Sequence, residues 1–260
     1  MSDWSLPVDK RDLAERFGKA ADRYDSLALL QQQVGQHLLS LLPELSFERG
    51  LDLGCGTGYF LPALATRCAT LLGLDLAPGM LQVARHKRGS AQLICGDAEQ
   101  LPLASGSLDL IYSSLALQWC ASLPQALAEI YRVLRPGGFF AFATLGAESL
   151  SELRAAWREV DHLDHVNPFI TSQTLQYLCS EHEFTSIVWL SRSHTLHYPT
   201  LHELLMSLKG IGANQVTGAR AAGLGGRKRL HCLEQAYGKM QEPTGLLPVS
   251  YEVCYGVLMR

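Results

Sequence analysis

The sequence predicts an α/β fold built on a mostly parallel sheet, and three observations carry that prediction. Between Arg49 and Leu145, short apolar runs alternate with helical patterns, the rhythm of βαβ units. The first of those runs ends in a glycine-rich stretch, LDLGCGTGYF (Leu51–Phe60). After Leu145 the rhythm changes and the chain closes on alternating, β-rich segments, which predicts a late antiparallel strand.

Taken in order, residues 8–42 read as helix in two pieces, because Leu13, Phe17, Ala20, Ala21 and Tyr24 recur at three- and four-residue steps. Pro43 closes that region. Strands are expected at 50–53, 70–75, 92–95, 108–113 and 138–144, with helices near 58–67, 78–88 and 122–134. Helical patterns at 149–161 and 171–182 precede the run TSIVWLSRSHTLHY (185–198). Two more helices are expected near 200–210 and 226–239, and VSYEVCYGVLMR supplies a final strand. The expected organisation is a single domain. It has an N-terminal helical cap (1–44), a core (45–198 and 246–260) and a helical insertion or lid (199–245) too small for a core of its own. Inside the insertion, SLKGIGANQV (Ser207–Val216) breaks a helical pattern at Gly210 and Gly212, and with Asn214 it predicts a tight helix exit.

Composition narrows the function classes. The 260 residues carry 22 basic and 25 acidic side chains, a net charge of −3 that leaves no footprint for nucleic acid. No apolar run is long enough to span a membrane, and the first residues lack the apolar core of a signal peptide. Seven scattered cysteines without a C-x-x-C pair read as reduced thiols, so a cytoplasmic location is expected, with neither zinc nor a disulfide framework. His194 and His197 sit three apart on an expected strand and face opposite sides, so no metal site is expected there.

The glycine loop is the strongest chemical signal. Gly54, Gly56 and Gly58 follow a buried strand and precede a helix, where backbone turns tightly and a ligand needs room without a Cβ. Asp75 ends the second strand, where a carboxylate can accept ribose hydroxyls. Asp97 and Ala98 follow the third strand, and Ser113 lies where the fourth strand reaches the ligand-binding edge. Any one of these acids also reads as a helix cap or turn former; their succession at three strand ends points to a nucleotide. With Asp52 before the loop and LRPGG (Leu134–Gly138) before the fifth strand, residues 45–145 resemble the Rossmann-like S-adenosylmethionine-dependent methyltransferases. The resemblance implies that Gly54, Gly56 and Gly58 flank the methionine moiety of S-adenosyl-L-methionine and that Asp75 holds its ribose. Leu76 and Met80 would line the adenine, with Asp97 and Ala98 at its edge. Asp52 would either approach the ligand or pin the loop backbone.

A narrower resemblance rests on the flanks. ERFGKAADRYD (Glu15–Asp25), LAEIYRVLRPGG (Leu127–Gly138), HVNPFI (His165–Ile170), LKGIGAN (Leu208–Asn214), GLGGRKRLHCLEQAY (Gly223–Tyr237) and LPVSYEVCYG (Leu247–Gly256) occur in one order. Together they are similar to the malonyl-acyl carrier protein O-methyltransferases of biotin synthesis. That resemblance implies methyl transfer to the free carboxylate of a malonyl thioester, with acyl carrier protein as the partner or coenzyme A as an alternative carrier. Met206 departs from the family, which commonly has a basic residue there. Candidate substrate residues are Tyr24, Arg132, His165 and Asn167. Tyr24 also reads as helix packing, Arg132 as a salt bridge, and His165 and Asn167 as turn formers before Pro168. The basic run Arg227, Lys228 and Arg229 reads either as a solvated helix start or as a dock for an acidic carrier. The rival readings are a methyltransferase for another small acceptor and a methyltransferase-like assembly factor without transfer activity.

Overall fold

In the computed structural model, residues 8–88, 92–161, 163, 165–210 and 226–260 are described. The strands are β1 (Phe47–Leu53), β2 (Cys68–Asp75), β3 (Gln92–Cys95), β4 (Leu108–Ser114), β5 (Leu134–Leu145), β6 (Thr185–Tyr198) and β7 (Leu247–Met259). They form one sheet in the order β3-β2-β1-β4-β5-β7-β6. β1 to β5 pair in parallel, whereas β7 is antiparallel to both β5 and β6, so the late antiparallel strand is β7. β4 is buried along almost its whole length because both faces of the sheet are covered, which explains its unbroken apolar run. Alternate residues serve the two layers: Leu110, Tyr112, Ala141 and Ala143 pack into one core, Ile111, Phe140 and Phe142 into the other.

The helices are α1 (Lys10–Leu27), α2 (Leu29–Leu41), α3 (Leu61–Ala65), α4 (Pro78–Arg88), α5 (Leu123–Val133), α6 (Ser151–Val160), α7 (Ser172–Glu181), α8 (Leu201–Gly210) and α9 (Gly226–Gly238). α1 starts at an Asp9 cap whose carboxylate accepts from the amides of Arg11 and Asp12. α3 is shorter than the helix expected over 58–67, because Gly54, Gly56 and Gly58 all hold positive φ and the chain keeps turning until Leu61. β5 begins at Leu134, ahead of the expected 138, since Leu134 already pairs with Leu108 before a register shift in β4.

Two close approaches fix the N-terminal helices over the sheet. Tyr112 Oη, buried under α2, donates to the carbonyl of Gly35 at 2.8 Å. α1 crosses α4 at Gly18 and Gly79, where a Cβ on Gly79 would lie 2.7 Å from Gly18 Cα. After β6, α8 packs on α1 and β6, and α9 packs on α6. Of the expected helix exit, Gly210 ends α8, while Gly212 and Asn214 lie outside the described residues. Among the described residues no helix is long and apolar enough to cross a membrane, and no cluster of three or more His, Cys, Asp or Glu could hold a metal.

Candidate active site

The strand order turns back between β1 and β4, and a cleft opens there beyond the carboxyl ends of β1 to β4. Counting its open mouth, it encloses about 820 Å³. Its floor is the glycine loop. Gly56 has φ of 54°, and a Cβ there would meet no protein atom within 4 Å, so the space beside it is left for a ligand. Asp75 lies beside the loop, its Oδ2 accepting from Gly56 N and its Oδ1 from Ala77 N, both at 2.8 Å. Burial pushes this carboxyl up, and the two amide bonds work against that by favouring the charged form. Each oxygen keeps a lone pair for a ligand hydroxyl.

The remaining walls have two characters. Leu76, Met80 and Ala98 are apolar, while Asp97 and Glu99 add carboxylates. Lys10 on α1 bonds Asp97 at 2.5 Å and Glu99 at 2.8 Å, tying the cap helix to the end of β3. A site floored by glycine, with Asp75 open to hydroxyl donors and Asp97 and Glu99 paired to Lys10, suits a nucleoside.

A second cavity, about 1100 Å³ with its mouth, lies beside the first. Phe17, Tyr24, Leu115 and Trp119 line both and form a shared wall. Tyr24, His165 and Asn167, separated widely in sequence, meet in this second cavity. No lysine or arginine lines it among the described residues. Its polar groups include two amides of different status. Gln118 Nε2 donates to Leu115 O at 2.8 Å and its Oε1 accepts from Thr144 at 3.2 Å. Gln31 Oε1 is buried without a hydrogen-bond partner among the described residues. Leu115 and Leu150 also line the cavity with φ of 52° and 60°, a backbone conformation that costs energy for a branched side chain.

The loop carrying His165 is braced from α6. His165 stacks on Trp157 and donates through Nε2 to Asp161 Oδ1 at 2.8 Å. Arg154 reaches the carbonyls of Ala147, Ser149 and Asn167 and lies 5.8 Å over the ring of Phe169.

Four candidates from the sequence are placed elsewhere. Arg132 lies on neither cavity: its guanidinium bonds Glu129 and the carbonyls of Leu101 and Leu103, so it braces the end of α5 against the segment before β4. Ser113 turns away from the cleft and donates to Leu53 O, leaving its neighbour Ser114 on the wall. Gly58 turns the loop with its amide on Cys55 O and is not part of the wall. Asp52 is buried behind the loop, where burial and then the nearby Asp75 push its carboxyl up to about 8. Lys10, Gln31, Trp119 and Trp157 are wall residues that the sequence reading did not single out.

The chain matches a family model described as a methyltransferase domain over residues 51–142. It is 44% identical to a malonyl-[acyl-carrier protein] O-methyltransferase of Serratia marcescens, over 97% of both chains. It is also 44% identical to the biotin biosynthesis bifunctional protein BioHC of Cellvibrio japonicus, over 97% of this chain, and spans about half (51%) of that longer protein. Among solved structures, a SAM-dependent methyltransferase of Thermotoga maritima shares the fold with a TM-score of 0.56 and 20% identity, covering 94% of this chain and 98% of its own.

Proposed function

Because the chain belongs to the malonyl-[acyl-carrier protein] O-methyltransferase family, we propose that it methylates the free carboxylate of a malonyl thioester held on acyl carrier protein, with S-adenosylmethionine as methyl donor, for biotin synthesis. The observation that carries this reading is the shared wall. A glycine-floored cleft with Asp75 on its wall and an apolar cavity with no lysine or arginine among its described lining residues meet at Phe17, Tyr24, Leu115 and Trp119.

When bound, the donor supplies an electrophilic methyl on a sulfonium. Gly56 would give its methionine end room beside Gly54, Asp75 would accept from its ribose, and Leu76, Met80 and Ala98 would enclose the base with Asp97 at the edge. The malonyl carboxylate is ionised at neutral pH, so the chain needs no general base. Tyr24 fits that requirement. Burial, then the Asp75 and Asp25 carboxylates, hold its phenol well above the usual range, so it stays protonated and donates a hydrogen bond. Gln31, His165 and Asn167 supply further polar contacts to the acyl thioester. Leu30, Leu153, Leu205 and Leu208 exclude water from the anion, which strengthens its attraction to a neighbouring cation. The protein's main contribution is alignment of carboxylate oxygen, methyl carbon and sulfur.

The test is to incubate the protein with S-adenosylmethionine and carrier protein loaded with malonyl, succinyl or acetyl groups. Mass spectrometry should show one added methylene on the malonyl carrier and none on the acetyl carrier. Donor binding without methylation of any carboxyl-bearing carrier would overturn the proposal.

A further inference from the structure

The wall between the two helices α1 and α8 has an outer side as well as an inner one. Inside, Phe17 and Tyr24 from α1 and Leu205 and Leu208 from α8 face the acceptor cavity. Outside, the same two helices, the start of α2 and the end of β6 border an open groove. Leu27, Leu29 and Met206 line it and are 40%, 54% and 49% exposed, an apolar floor that water-facing helices do not need. Around that floor stand Lys19, Arg23 and Lys209, with Arg16 already paired to Asp12, against Asp22 and Glu203. The groove therefore carries an excess of positive charge on a chain whose net charge is −3. Lys19 makes only a loose 3.6 Å contact with Glu15 at the helix surface, a pairing that solvent largely screens.

The other basic segment is less suited to a partner. Arg229 is bonded to Asp161 and lies against Trp157, so its charge is already used inside the fold. Lys228 is exposed, and the side chain of Arg227 lies outside the described residues.

We infer that the α1–α8 groove is the docking surface for the carrier protein, seating an acidic helical face of the carrier with apolar contacts on Met206, Leu27 and Leu29. The inference rests on the proposed function. It explains why the groove backs directly onto the acceptor cavity: a carrier seated there presents its thioester arm to the wall that Tyr24 and Leu208 complete. Association steered by such a basic rim is salt-sensitive.

The experiment measures binding of fluorescently labelled malonyl-loaded carrier to the full chain by anisotropy, with S-adenosylhomocysteine titrated in parallel by calorimetry. The double variant Lys19→Glu with Arg23→Glu, and separately Met206→Asp, should weaken carrier binding about ten-fold and leave S-adenosylhomocysteine affinity unchanged. Lys228→Glu should leave both unchanged. Unaltered carrier binding in the groove variants, or weakening confined to Lys228→Glu, overturns the inference. So does a wild-type dimer in sedimentation that Met206→Asp dissociates, because a second copy then covers the groove. A wild type that binds S-adenosylhomocysteine but neither binds nor methylates malonyl carrier removes the proposed function itself, and the dock with it.

Discussion

Trp157 and His165 stack face to face, with ring centroids 3.7 Å apart and planes 18° from parallel. Trp157 belongs to α6 and His165 to the loop that walls the acceptor cavity, so the stack sets where that wall stands. Asp161, one turn beyond Trp157, bonds His165 and is bonded by Arg229 from α9. Against the penalty of burial, the Leu163 amide, His165 and Arg229 pull the Asp161 carboxyl down to about 2. One carboxylate thus joins α6, the loop carrying His165 and α9.

Arg229→Met keeps the stem over Trp157 and removes the bond to Asp161. The acceptor loop should loosen while the donor cleft stays intact. We expect kcat/KM for malonyl carrier to fall about ten-fold, with S-adenosylhomocysteine affinity unchanged by calorimetry. Equal loss on both sides would show that the network supports the whole fold and not the acceptor wall.

The crossing of α1 and α4 gives an asymmetric pair of variants. A Cβ on Gly79 would lie 2.7 Å from Gly18 Cα and 3.0 Å from its carbonyl oxygen, both backbone atoms that yield only if α1 moves. A Cβ on Gly18 would rest 3.6 Å from Gly79 Cα, an ordinary contact. α1 carries Lys10, Phe17 and Tyr24 on the donor cleft. Gly79→Ala should therefore weaken donor binding about ten-fold, and Gly18→Ala should leave it near wild type, since the strain arises on one side alone. Indistinguishable affinities would mean that the crossing does not position α1.

Tyr24 offers a test of the base-free chemistry. With its phenol protonated throughout the neutral range, Tyr24→Phe removes a hydrogen-bond donor and no base. We expect kcat to fall by about one to two orders of magnitude while the pH–rate profile keeps the same shape from about pH 6 to 9. Loss of a limb in that profile would give Tyr24 a proton-transfer role.

Much of this site was legible because its donor half is local. Gly56, Asp75 and Asp97 sit at successive strand ends, and strand ends can be located from alternation of apolar runs. Ser113 shows the resolution of that approach: side chains along a strand alternate faces, so a one-residue choice decided between Leu53 O and the cleft. Arg132 lies in a readable motif, yet its task depends on the carbonyls of Leu101 and Leu103, some thirty residues earlier in the chain. The acceptor cavity was the least legible part. Gln31, Trp119 and Trp157 come from separate elements, and no spacing relates them before the sheet brings α2 and α6 together.

Asp52 links the donor loop to a pH effect whose sign can be worked out. Its folded-state value of about 8 lies above the unfolded value of 3.8, because burial and the adjacent Asp75 disfavour its charged form. Between those two values the native state binds a proton that the unfolded chain has released. Stability therefore falls as pH rises through that window, and the loss is complete above about 8. Asp52→Asn has no proton to exchange and escapes the effect. Without donor, the variant should gain stability over wild type as pH rises from about 5 to 8, by at most about 3–4 kcal/mol. Chemical denaturation of both proteins at the two pH values checks this. A gain that is the same at both would place the ionisation of Asp52 outside that window. Donor binding should respond in the opposite sense, because a cation held in the cleft, acting on Asp52 across the glycine loop, would favour the ionised carboxylate and lower the pH at which it forms. Wild-type affinity for S-adenosylmethionine should then increase from about pH 6 to 8 more steeply than that of Asp52→Asn.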